Sequence, residues 1–150
     1  NGQKEQGRRG KLLYINALLY LFSHYRSLPM AVYCDGEKVF DGKCFSVALG
    51  TGKYCGGGLR QTPDAVFDDG LIDLTVIPEY SLGRIVLELP RLFNGSLPSV
   101  KGIETRRGRS IAVIPTSERR EIIEVDGEII GNSPVRFDVL SEQINVLHRF

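Results

Sequence analysis

The sequence predicts a mostly β protein, an antiparallel β-sandwich with two accessory helices, and three observations carry that prediction. From Pro29 onward the apolar residues fall into short runs, many of period two, bounded by glycine, proline, asparagine, aspartate or serine. Only two stretches, Leu12–Tyr25 and Ser81–Phe93, repeat at helical spacing. At 150 residues, 42% hydrophobic and 25% charged, the chain has the composition of one ordinary globular domain with enough apolar surface for a continuous core.

Residues 1–10 read as a polar, flexible tail, and 11–26 as a leading helix with Leu12, Ile15, Leu19 and Phe22 on one face. Leu13, Leu18 and Leu21 widen that face, which predicts burial on more than one side; the run is too short for a bilayer, which needs about 20 apolar residues. The sandwich is expected over 30–150. Met30–Cys34 and Lys38–Phe40 flank Asp35-Gly36, a dipeptide suited to a tight hairpin, and Asp41-Gly42 predicts a second turn. Cys44–Leu49 and Leu71–Ile77 read as strands, the second closed by Pro78. Ser81 is the expected N-cap of a helix inserted over 81–94, with Pro90 predicted to kink or shorten it and Asn94-Gly95 to end it. Val100–Thr105, Arg109–Pro115, Arg120–Val125, Glu128–Ile130, Val135–Leu140 and Gln143–Leu147 complete the strands.

A net charge of +1 gives no global field to draw in nucleic acid. Arg106, Arg107 and Arg109, with Arg119 and Arg120 nearby, form either a basic edge for phosphate or anionic lipid or a solvated hairpin end. Cys34, Cys44 and Cys55 lack the spacing of zinc or redox pairs, which points to buried thiols, no metal on sulfur and a reducing, cytoplasmic compartment. The chain starts at Asn1 without a signal sequence, and it is expected to be part of something longer.

The chemistry concentrates between Gly50 and Ile77, in GTGKYCGGGLRQTPDAVFDDGLIDLTVI. Its glycines miss the dinucleotide fingerprint, because Cys55 stands where the third glycine belongs and no clear helix follows. Asp64, Asp68, Asp69 and Asp73 lie on a short turning segment where Asp69-Gly70 lets carbonyls and a carboxylate converge, as a hard cation requires; solvated carboxylates on a plain turn are the alternative. Asp35-Gly36-Glu37 recurs as Asp126-Gly127-Glu128, and either tight turn holds its glutamate rigidly enough for a general base. Spacing does not choose between the copies.

The P-D-A-x-x-D-D-G-L-x-D block, taken with EVDGEIIGNSPVRFDVLSEQINVL, resembles the second, β-rich lobe of the diacylglycerol kinase and sphingosine kinase family, including its bacterial soluble members. KLLYINALLYLF resembles the helix before that lobe's first hairpin, so the likeness covers essentially the whole chain. The resemblance implies the second lobe of the NAD kinase and diacylglycerol kinase-like fold. It also implies transfer of the γ-phosphoryl group of ATP, with Mg2+, to the free hydroxyl of a lipid bound between two lobes. It places a structural magnesium site on the Asp69 carboxylate and the carbonyls of Val66 and Leu71, and the proton acceptor on Glu128. Thr51 stands where family members often have asparagine. The family's G-G-D-G-T nucleotide lobe is absent from the sequence, so ATP is expected to bind mainly to that missing N-terminal lobe and the chain alone to be inactive. The implied partners are the lipid, the nucleotide lobe and, transiently, an anionic membrane surface, with self-association open. The competing expectation is a cation-stabilised β-sandwich binding module without catalysis.

Overall fold

The computed structural model describes residues 20 and 26–140. Most of the predicted leading helix, the tail before it and the strand expected at Gln143–Leu147 lie outside the described residues. The elements are β1 (Leu28–Cys34), β2 (Glu37–Gly50), β3 (Ile72–Pro78), α1 (Leu82–Asn94), β4 (Glu104–Gly108), β5 (Ser110–Pro115), β6 (Ile122–Val125), β7 (Glu128–Asn132) and β8 (Val135–Asp138). Six strands form one antiparallel sheet in the order β4-β3-β2-β1-β5-β8, and β6 and β7 form a separate two-stranded sheet. The mostly β, antiparallel architecture agrees with the sequence-based expectation.

Chain connectivity forces the larger sheet to fold over. β4 and β5 are four strand spacings apart in the order, about 19 Å if the sheet were flat. Only Arg109 separates Gly108 from Ser110, a reach of about 7 Å. The sheet therefore rolls until the end of β4 meets the end of β1. There a Cβ on Gly108 would lie 2.5 Å from Cys34 Sγ and 2.7 Å from Asp35 Oδ2, so the crossing requires glycine. The Asp35 carboxylate locks the same corner by accepting from the Arg109 and Ser110 amides at 2.9 and 2.8 Å.

β3 is buried on both faces and divides the protein's interior in two. Ile72, Leu74 and Val76 join Val32, Cys44, Ile111 and others in one apolar cluster. The alternate residues Asp73, Thr75 and Ile77 point the other way, where Ile77 packs with Leu89 and Leu92 of α1 and with Leu59. α1 begins at Ser81, whose hydroxyl accepts from the Arg84 amide, and ends where Gly95, at φ +80°, donates to the Arg91 carbonyl at 3.1 Å.

Local signals were overruled in three places. Asp41-Gly42 is no turn: both residues lie within β2, paired with Ala31 and Met30. Strand pairing on that side satisfies backbone groups that a turn would leave to water. Pro90 does not stop α1, which runs on to Asn94; Pro90 and Val86 are exposed, so the carbonyl left without a helical donor lies on the solvent side. Val100–Thr105 is not a strand start, because a 3-10 turn at Leu97–Ser99 leads to β4 beginning at Glu104. Tyr20 is helical, within the span expected for the leading helix, and among residues 26–140 α1 is the only α-helix.

Cys34 and Cys44 are buried, as expected, but Cys55 is exposed on the glycine stretch. Burial pushes the Cys44 thiol up from 9.0 to about 11. A thiol whose folded-state pKa is raised contributes stability that is complete below its unfolded pKa and lost as pH climbs through the folded one. Chemical denaturation at pH 8 to 11 should therefore show the parent losing more stability between pH 9 and 11 than Cys44→Ala does; equal slopes would mean that the thiol does not titrate in that window.

Candidate functional site

The acidic stretch hangs from β3 and is tied down at its root. Thr75 Oγ1 donates to the Gln61 carbonyl at 2.7 Å, and Thr62 Oγ1 donates to the Gly52 carbonyl at 2.9 Å. A Cβ on Gly50 would stand 2.5 Å from Thr62 Oγ1, so that closure needs glycine. Of the five glycines between 50 and 58, Gly57 and Gly58 have positive φ, +71° and +78°, around a single 3-10 turn. The stretch is thus a compact connection, with Cys55 bridged to Leu59.

Within the bend the three residues assigned to a cation come together. The Asp69 amide donates to the Val66 carbonyl at 3.5 Å, Gly70 turns the chain at φ +71°, and the Leu71 amide donates to Asp69 Oδ1 at 2.9 Å. The Asp69 carboxylate and the Val66 carbonyl therefore belong to one tight turn, with Leu71 following directly. All three donors are oxygen, the set that a hard cation takes, and magnesium held by a single carboxylate keeps the rest of its shell as water. The residues fit such an ion. Among the described residues no three His, Cys, Asp or Glu side chains form a metal cage, so carbonyls and water must supply what the carboxylate does not.

Sequence reasoning missed the cation already in this bend. Arg107 was grouped with a basic edge, yet its Nη2 donates to the Asp64 carbonyl at 2.6 Å, and Nε and Nη2 reach Asp73 Oδ1 at 3.3 and 3.2 Å. Its Nη1 lies 3.5 Å from Asp69 Oδ2. Hydrogen bonding to Asp73, then that residue's charge, and more weakly Asp69 and Asp64, raise the arginine's pKa. The other arginines of the supposed edge are also spoken for in part: Arg106 pairs with Glu104, Arg119 with Glu121, and Arg120 donates to the Ser133 carbonyl. The signal was strand alternation, which puts Arg106 and Arg107 on opposite faces of β4; the register that sets Arg107 against Asp73 is non-local.

The two Asp-Gly-Glu turns share one backbone shape, with φ of +50° at both Asp35 and Asp126 and +85° and +88° at the glycines after them. Their surroundings differ. The first is bolted to the β4–β5 crossing through Asp35. The second caps the β6–β7 hairpin, where Glu128 pairs with Val125 and its exposed side chain has no partner among the described residues. Burial, and more weakly the charge of Glu124 on β6, push the Cys55 thiol up. No hydrogen bond or ion pair joins Glu128 to the acidic bend among the described residues.

Comparison with known proteins gives the family and the fold. Residues 2–148 match the family described as the YegS C-terminal NAD kinase beta sandwich-like domain. A diacylglycerol kinase of Mycobacterium tuberculosis is 28% identical over 104 residues, covering 69% of this chain and 34% of its own. A Stenotrophomonas maltophilia protein named "Probable lipid kinase YegS-like" is 28% identical over 120 residues, covering 79% and 38%. The chain thus spans little more than a third of these relatives. A crystal structure of a diacylglycerol kinase from Bacillus anthracis superposes with a TM-score of 0.64 at 22% identity, over 90% of this chain and 45% of that one, which shows the fold.

The contrast between the twin turns is measurable. Asp35→Gly keeps the turn but removes a carboxylate serving two amides, and should cost about 2–3 kcal/mol of unfolding free energy. Asp126→Gly should stay within about 0.5 kcal/mol of the parent. Equal costs in urea titrations would contradict the different roles assigned to the two copies.

Proposed function

Because the chain belongs to the YegS C-terminal NAD kinase beta sandwich-like family, we propose that it is the β-rich lobe of an ATP-dependent lipid kinase, which acts on a diacylglycerol-like hydroxyl once joined to a nucleotide-binding lobe. The relatives' names support the lipid-kinase class, and their greater length supports a second lobe that carries ATP. The observation that carries the reading is the family match over residues 2–148. Asp35 of the first turn is engaged by the β4–β5 crossing, whereas Glu37 and Glu128 are both exposed among the described residues, and Glu128 is the copy that the family resemblance assigns as the base.

In this reading the lipid hydroxyl is held within reach of Glu128. As its oxygen attacks the γ-phosphorus, the proton passes to the Glu128 carboxylate. The new oxygen–phosphorus bond forms while the bond to the bridging oxygen breaks, and ADP leaves with that electron pair. Asp69 with the Val66 and Leu71 carbonyls would hold magnesium, which supplies a fixed positive charge that stiffens the bend. The exposed Phe67 at 84% and the hairpin residues Ile122, Ile129 and Ile130 provide apolar surface for the second lobe or the lipid. Partnership with an anionic membrane and a cytoplasmic setting accord with such a kinase. Among the described residues no helix is long and apolar enough to cross a membrane.

Two substitutions test separate parts of this proposal. With the chain joined to a nucleotide lobe, Glu128→Gln should lower kcat about a hundredfold or more with little change in KM for ATP; unchanged turnover would leave the non-catalytic binding module as the better description. Asp69→Asn should weaken the magnesium dependence of thermal stability while leaving the metal-free melting temperature near that of the parent. Parent and variant responding alike to magnesium would remove Asp69 from the site.

A further inference from the structure

Arg107 touches the beginning, middle and end of the acidic loop through one planar group. It meets the Asp64 carbonyl at 2.6 Å, Asp69 Oδ2 at 3.5 Å and Asp73 Oδ1 at 3.2 Å. Asp73 is only 8% exposed, and its Oδ2 is buried without a hydrogen-bond partner, so Arg107 supplies this carboxylate's charge compensation from the directly opposed position on β4. Two carboxylates, those of Asp69 and Asp73, pair with one guanidinium, so the loop keeps excess negative charge with the arginine in place.

We propose that Arg107 is a positioning residue for divalent-cation binding: by clamping both ends of the loop to β4, it holds the Asp69 carboxylate where it can share a cation with the Val66 and Leu71 carbonyls. This inference rests on the magnesium reading above and adds to it the residue that sets the affinity. The physical requirement is a fork. A guanidinium serves several acceptors in fixed directions, whereas an ammonium is a point charge that cannot span the three sites together. Simple electrostatic competition makes the opposite prediction, because removing a nearby positive charge would tighten cation binding.

The test is a thermal-shift titration of the full chain with MgCl2, comparing the parent with Arg107→Lys and Arg107→Gln. Positioning predicts that both variants need about tenfold more magnesium, or still more, for half of the parent's shift, although lysine keeps the charge. A lysine variant matching the parent, or a glutamine variant binding more tightly, overturns the proposal while leaving the magnesium reading intact. So does a lower metal-free melting temperature with an unchanged magnesium midpoint, which is the signature of a purely structural contact. A parent whose melting temperature ignores magnesium overturns both. A second measurement on the parent needs no variant to fold: in an NMR titration with MgCl2, the Arg107 Nε–H and Leu71 amide resonances should move with one midpoint. An Arg107 signal that stays fixed while Leu71 shifts rejects the clamp.

Discussion

The ion pair between Asp73 and Arg107, directly opposite each other on β3 and β4, is the contact on which the site depends. It sits at the mouth of a graded strand face. Ile77 packs under α1, Thr75 holds the Gln61 carbonyl, and Asp73 faces the arginine. Along three alternate residues the same face passes from apolar packing, through a neutral hydrogen bond, to a charge pair. The opposite face of β3 is apolar throughout, so a one-residue slip would drive Asp73 into the main core, at a cost the fold could not absorb. Register, and with it the placement of Arg107 over the bend, is set by that burial rather than by the bend itself.

The rolled sheet explains why one tripeptide serves two purposes. Bringing β4 to the end of β1 creates a crowded corner, and the first Asp-Gly-Glu turn fills it with a carboxylate that satisfies two amides. The identical turn on β6–β7 meets no such corner. Its tight geometry then does nothing for the sheet and only orients the strand that starts with Glu128. Local conformation is shared; the surrounding topology decides which aspartate is bonded.

Much of this was legible in the residues alone, and the failures have physical causes. The period-two runs marked the strands, Asp35-Gly36 marked the first hairpin, and Ser81 and Asn94-Gly95 marked the limits of α1, because each depends on neighbours in sequence. Asp41-Gly42 misled because pairing with β1 outweighs a turn preference, and Pro90 misled because the carbonyl that loses its donor faces solvent. The bend itself was also readable, since Asp69, Gly70 and Leu71 form their turn locally. Arg107 was not: its partners lie 34 and 43 positions away and meet it only through the β3–β4 register. That Asp35, and not Asp126, is bound into a corner likewise depended on the β4–β5 crossing.

A Mn2+ anomalous difference map from crystals of this chain addresses the central claim most directly. The account predicts one peak within coordination distance of the Asp69 carboxylate and the Val66 and Leu71 carbonyls, with Arg107 still bridging Asp64 and Asp73. Ordered density for the bend with no peak there, or a peak only among other carboxylates, would contradict it.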